Sequence, residues 1–529
     1  MDRQNHAGSY NLLVRYAPLW AHLSVYVLTC LVAAAFLYFG YRPVVVFVEY
    51  FSGAIVPTNY SSQQTAVLWA LLLGAPALFA FGFVAAERIR LGGALFRKIA
   101  GRSDGDAPGW MPVLMFAAAA SVGAYDLLRA GVFAKLSVWS DYGAWVEGRW
   151  VLFSALGYFN FVNLYLILPV SAAWVILSIT GSGWKALAAR LIPLTVVIVL
   201  TLLLFQKKAL IVSLIIIFGA VLLHRIFSKP WTRRLTWTFV ATTGLLASIY
   251  FLLVVLPVFL ETTRTASQVL MQQEEKGIQQ IEEGIQQVEK GIQQEEKGIQ
   301  QVEKGIQQVE KGIQQVEKGI QQVEKGIQQV KKGIQQVKKG IQQEEKLLIL
   351  GEEINTMIGS HRSAHIFAYA ALAPMTRTSL PAMYYPIVYP ELQGYYGFDF
   401  GQDILGFGGM PDDNLVIWKH MYPDLPGGAG APFQFALYSQ VGVVWTLLLC
   451  AMVGMVLGVL WQGILASDIS RVWRSLMGTV LILFSIYLAI DSIRGSLLSS
   501  YGLIWAWLFI SLSFFIGRSL MRRQELESA

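Results

Sequence analysis

Ten apolar runs of membrane-crossing length recur along this chain, and they constrain it more than any other feature. They fall near residues 18–40, 66–86, 111–131, 153–179, 190–205, 209–224, 236–260, 437–461, 475–493 and 498–517. A run of about twenty apolar residues can satisfy its own backbone only as a helix once it leaves water. Charge confirms the division. Between Glu274 and Lys346 stand 13 Glu and 12 Lys, whereas the other 456 residues carry only 50 charged side chains. That composition excludes an ordinary soluble domain, in which about a quarter of residues are charged. The sequence therefore predicts an all-α polytopic membrane protein with about ten transmembrane helices and one large polar loop. No cleavable leader is expected, because the first 16 residues are polar and the first apolar run is long enough to stay as an anchor.

The fifth and sixth runs are short and separated only by Gln206-Lys207-Lys208, so they can be misread as one broken helix. Basic residues decide between the alternatives, since they gather on the cytoplasmic side. With the N-terminus inside and ten spans, the inner segments hold 18 Lys and Arg and the short outer loops hold 6. Merging the two short runs would move Arg225, Lys229, Arg233 and Arg234 to the wrong side of that bias. The expected topology is therefore a multi-pass membrane protein with both termini cytoplasmic, so that in a bacterial inner membrane the large loop faces the periplasm or the cell exterior. Its parts are residues 1–260 with seven spans, 261–436 as a large periplasmic loop, and 437–529 with three spans and a cytoplasmic tail. The pI near 9.1 reflects basic loops rather than a nucleic-acid face, so no nucleic-acid partner is expected. The two cysteines lie inside apolar runs and give no disulfide framework.

Within the loop, residues 274–346 repeat the unit Gly-Ile-Gln-Gln-Val-Glu-Lys. Ile and Val at alternating three- and four-residue spacing make a coiled-coil seam. A glycine in every unit opposes it by about 1 kcal/mol each. A helical insertion acting as a tolerated spacer is expected, since added loop length costs little.

The rest of the loop, 347–436, is a candidate glycan-binding part. It combines Tyr384, Tyr385, Tyr389, Tyr395 and Tyr396 with Asp399, Asp403, Asp412 and Asp413. Ring faces beside carboxylates suit sugar C–H faces and hydroxyls, and the same tyrosines equally suit the core of a small fold. His361 and His365 stand one helical turn apart around Arg362. No His-Glu-x-x-His pattern accompanies them, so no metal or other cofactor is expected, and a neutral histidine fits general-base work better. Cations cluster at the expected outer membrane face, namely Lys207 and Lys208 on the short turn, Arg264, and Arg494 near Asp491, while Arg377 falls within the loop. Ammonium and guanidinium groups gathered there match a lipid-linked diphosphate. Walker and dinucleotide fingerprints are absent from the sequence, which argues against ATP and nicotinamide chemistry.

Three features together resemble the bacterial oligosaccharide repeat-unit polymerase family of the O-antigen polymerase type and its relative, the O-antigen ligase. They are the turn Leu204-Phe205-Gln206-Lys207-Lys208-Ala209-Leu210, the single large loop before the last spans, and Phe435-Ala436-Leu437-Tyr438-Ser439-Gln440-Val441-Gly442 at membrane re-entry. The family's Arg-x10-Gly loop pattern is not met, and the heptad insertion lies outside the family layout. The resemblance implies a metal-free, inverting membrane glycosyltransferase acting on undecaprenyl-diphosphate-linked oligosaccharide repeat units. It implies Lys207, Lys208, Arg264, Arg362, Arg377, Arg494 and Asp403 as substrate contacts and His365 or His361 as the base. Lipid-linked oligosaccharide, membrane lipids and a chain-length regulator protein are the implied partners. Transfer to lipid A core by a ligase, and transport by a flippase, are the competing readings.

Overall fold

A computed structural model describes residues 12–42, 44–45, 48–49, 56–89, 107–132, 156–181, 183–204, 207–228, 376–397, 413–422, 428–467, 469–493 and 503–528. All belong to one compact unit, Met1–Val255 with Ala370–Ala529. Every regular element among them is helical. In chain order they are α1 (Ala17–Tyr38), α2 (Ser62–Arg88), α3 (Trp110–Arg129), α4 (Tyr158–Ser178), α5 (Trp184–Leu202), α6 (Lys207–Ser228), α7 (376–388), α8 (Asp413–Met421), α9 (Phe433–Ala466), α10 (Arg471–Leu488) and α11 (Leu503–Ser528). Nine of these, all but α7 and α8, are long and apolar enough to cross a membrane. The protein is thus an all-helical, multi-pass membrane protein. The expected seventh span, 236–260, and the heptad repeat lie outside the described residues.

Helix directions follow from side-chain pairings. Along α1 and α2, Tyr16 donates to Glu87 at 2.7 Å, Tyr26 to the Leu72 carbonyl at 2.9 Å, and Tyr38 to Thr65 at 3.5 Å, so the two run antiparallel. Arg15 also pairs with Glu87. We call the two ends of the bundle the Arg15 face and the Tyr38 face.

Helix α9 runs beside α2 in the same direction, and glycines permit unusually close approach. A Cβ on Gly82 would land on the Ala451 carbonyl, on Gly454 on that of Phe79, and on Gly458 on that of Phe83. Without lipid-excluding hydrophobic drive between helices, such backbone contact is how membrane helices gain packing energy. Helix α10 returns antiparallel to α9 after a short connection, which Arg474 closes by donating to the Ser467 carbonyl. It is fixed to α1 by Ser485, whose hydroxyl donates to the Pro18 carbonyl at 2.6 Å and whose carbonyl accepts from His22 Nδ1 at 2.9 Å. Helix α6 packs antiparallel to α10, with Gly219 against Thr479 and Leu223 against Gly478. Ser228 consequently stands at the Arg15 face, whereas Phe433, where α9 begins, lies inside the bundle with its ring against His22 of α1 and Phe79 of α2.

Two apolar cores result. One fills the bundle from Val14 and Phe83 through Trp174, Trp461 and Trp473 to Phe514. The other sits toward the Tyr38 face, where Cys30, Leu37, Leu68 and Leu72 of α1 and α2 pack with Met383 and Tyr385 of α7, Tyr389 just past its end, Ile417 of α8, and Phe435 and Tyr438 of α9. The sequence stretch read as polar loop therefore contributes apolar and tyrosine side chains to a core among the membrane helices.

Candidate functional site

The helices end at different heights. Ser485 lies beside Pro18 and His22, so Asp491, six residues further along the chain that leaves α10, comes level with the turn of α1 just before Thr29. Lys208 at the start of α6 reaches the same level through the antiparallel pairing at Gly219. Helix α1 continues nine residues past Thr29, about 13 Å at 1.5 Å per residue. The result is a step, with α6 and α10 ending low and α1 and α2 rising beside them.

Helix α7 brings Arg377 onto that step. Thr378 donates its hydroxyl to the backbone carbonyl of Thr29, placing the start of α7 at the level where α6 and α10 end. Lys208, Arg377 and Asp491 interact there electrostatically, the carboxylate attracting Lys208 and the guanidinium repelling it. Both cations are exposed although they lie below the rim of α1. Two cations with one carboxylate leave the site at a net charge of +1, which favours a dianionic group.

Hydrogen bonds higher on α7 complete its attachment. Tyr60 donates to the Met383 carbonyl at 3.1 Å. Burial pushes the Tyr60 phenol well above the ordinary tyrosine range, with Tyr384 and Tyr38 adding to the effect, so it remains a protonated donor. Tyr384 is shifted the same way, again chiefly by burial. Gln64 serves twice. Its carbonyl accepts from the Ser61 N–H at 2.9 Å in a capping box that starts α2, and its amide donates to Glu391 at 3.1 Å.

Tyrosine hydroxyls bind the other pieces together. Tyr385 donates to the buried Asp413 carboxylate at 2.6 Å, Tyr438 to the Tyr389 carbonyl at 2.8 Å, and Tyr389 to Tyr396 at 2.9 Å. Tyr385, Tyr389 and Tyr396 are buried, so three of the five tyrosines offered as sugar-stacking rings belong to the core, while Tyr384 is half-buried and Tyr395 is 42% exposed. Helix α9 is broken where these pieces meet. Gly442 has φ 74° and ψ 176°, a conformation that side-chain-bearing residues avoid, and the Tyr395 ring lies 3.4 Å from where its Cβ would stand. Three residues before the break, the Ser439 carbonyl accepts from the Tyr396 N–H at 3.1 Å.

Of the residues singled out from sequence, the structure therefore brings Lys208 and Arg377 to one level, within reach of each other's charge. Lys207 opens α6, but its side chain lies outside the described residues, as do Arg264, His361, Arg362, His365, Asp403 and Arg494 entirely. Sequence reasoning missed Thr29, Thr378, Tyr60 and Gln64. Only the last carried a readable signal, the Ser-x-x-Gln capping pattern at Ser61–Gln64. No family model, curated protein or solved structure matches the chain.

Proposed function

We propose that the protein is a membrane glycosyltransferase that polymerises undecaprenyl-diphosphate-linked oligosaccharide repeat units, with the reaction on the Tyr38 face. The observation that carries this reading is that Lys208 and Arg377, 169 positions apart in the chain, come within electrostatic reach of each other and of Asp491 on the step below the α1 rim. A diphosphate attached to a membrane-embedded prenyl chain presents its charge at the boundary between apolar and polar zones, and fixed cations there meet it without leaving the protein.

In the proposed reaction a hydroxyl of the incoming lipid-linked repeat unit attacks C1 of the glycan on the donor lipid. The C1–O bond to the diphosphate breaks with inversion, and the lipid diphosphate departs with the bonding electron pair. Lys208 and Arg377 stabilise the charge that develops on the leaving oxygen, an effect that grows toward the transition state. The acceptor proton passes to a base, for which His365 and His361 remain the residues of suitable chemistry.

The test is reconstitution. Protein in lipid, supplied with undecaprenyl-diphosphate repeat units and no nucleotide sugar, yields a ladder of products on a gel. Transfer only when lipid A core is added reassigns the protein as a ligase. Silence in both assays removes the glycosyltransferase reading.

A further inference from the structure

Arg377 belongs to the long stretch between α6 and α9, yet it stands at a fixed level within the helical bundle, and its own helix is too short to set that level by spanning. Backbone and side-chain polar groups at such depth are tolerated where other protein surrounds them and satisfies them. Besides the tyrosine contacts that tie α7 to α8 and α9, three contacts fix it to the first two spans. At its start Thr378 meets the Thr29 carbonyl, midway along it the Met383 carbonyl meets Tyr60, and just past its end Glu391 meets Gln64. All three partners belong to α1, to α2 or to the residues leading into α2. Leu380, Met383 and Val388 bury the matching apolar side of α7 in the core shared with Cys30, Leu37, Leu68 and Leu72. Three attachments along one side fix both the height and the rotation of a helix.

We propose that Thr378, Tyr60 and Gln64 are positioning residues that clamp α7 to the first two spans and thereby hold Arg377 beside Lys208 and Asp491. On this arrangement α1 and α2 take part in the reaction without touching substrate. The proposal rests on the reading of Lys208 and Arg377 as the diphosphate contacts, and its first test needs no substrate.

Lys208 and Arg377 are both replaced by cysteine in the full chain, with a protease site placed in the heptad repeat so that only a cross-link keeps the two fragments together. The native Cys30 and Cys450 are buried and give little background. A short bismaleimide is expected to join the fragments. Adding Thr378→Val, or Tyr60→Phe with Gln64→Ala, is expected to slow that joining about fivefold, as the loss of a net hydrogen bond of ordinary strength implies. Thr378→Ser, which keeps the hydroxyl, restores it. Only monodisperse protein is compared, so a misfolded variant is not scored, and Tyr60→Phe alone, a milder change, then carries the comparison. Equal cross-linking in the hydroxyl-deleted variants overturns the clamp, and failure of the parent pair to cross-link overturns the juxtaposition itself. In the reconstituted assay, Thr378→Val with native Lys208 and Arg377 raises the donor concentration for half-maximal rate several-fold more than it lowers the saturated rate. If the cross-linking outcome holds while no ladder forms, the clamp stands and the glycosyltransferase reading falls.

Discussion

Gly454 of α9 packs directly on the carbonyl of Phe79 in α2, leaving no room for a methyl group between the two backbones. Gly454→Ala must push the helices apart. Overpacking of this kind costs about 1–3 kcal/mol, so the thermal midpoint in detergent should fall clearly. Gly109→Ala, at a helical φ of −60° with open space around it, serves as the control and should leave the midpoint in place. Equal effects of the two would mean that α2 and α9 do not meet this closely.

Lys208→Ala and Arg377→Ala should each lower the polymerisation rate by about a hundredfold, the usual scale for removing one transition-state charge contact. Lys208→Arg and Arg377→Lys should retain part of it. Asp491→Asn is expected to cost less than either, since the carboxylate acts on the cations rather than on the donor. Rates from densitometry of the ladder decide this. Full activity of both alanine variants would remove the step as the reactive site.

The raised Tyr60 phenol gives a stability test with a definite sign. Its protonated form is favoured in the folded protein, so its contribution is intact below the ordinary tyrosine value of about 10 and is lost as pH rises beyond it. The thermal midpoint of the native protein should therefore decline above about pH 10 more steeply than that of Tyr60→Phe. Parallel declines would place Tyr60 in contact with water.

Removal of residues 277–339, in register with the repeat, should shift the folding free energy by less than about 1 kcal/mol and leave the ladder in place. Loss of the ladder in a protein that still purifies as a folded species would instead give the repeat a scaffolding role.

The spanning helices were legible because apolar runs of membrane length admit one backbone solution. Helix α7 was not. Its stretch, from Thr376 to Val388, contains two prolines and two tyrosines, and its hydropathy reads as loop. Tyr385 becomes a core residue only because Asp413 waits for its hydroxyl, a pairing across 28 positions that no local window contains. The break at Gly442 was hidden for the opposite reason, since it interrupts a run that is apolar on both sides. Lys208 and Arg377 were each visible as cations in unusual company. Their approach depends on Thr378 finding a carbonyl 349 residues earlier, which is a property of the assembled bundle rather than of either segment.

The broken helix also bears on how such a protein is made. Val443–Ala466 is long and apolar enough to partition into a bilayer on its own, whereas the piece from Phe433 to Val441, like α7 and α8, is too short to do so. These three pieces can dock only onto a surface already presented by α1 and α2. During synthesis, the first two spans therefore wait with Cys30, Leu37 and Leu68 uncovered until the ribosome has delivered the segments that cover them.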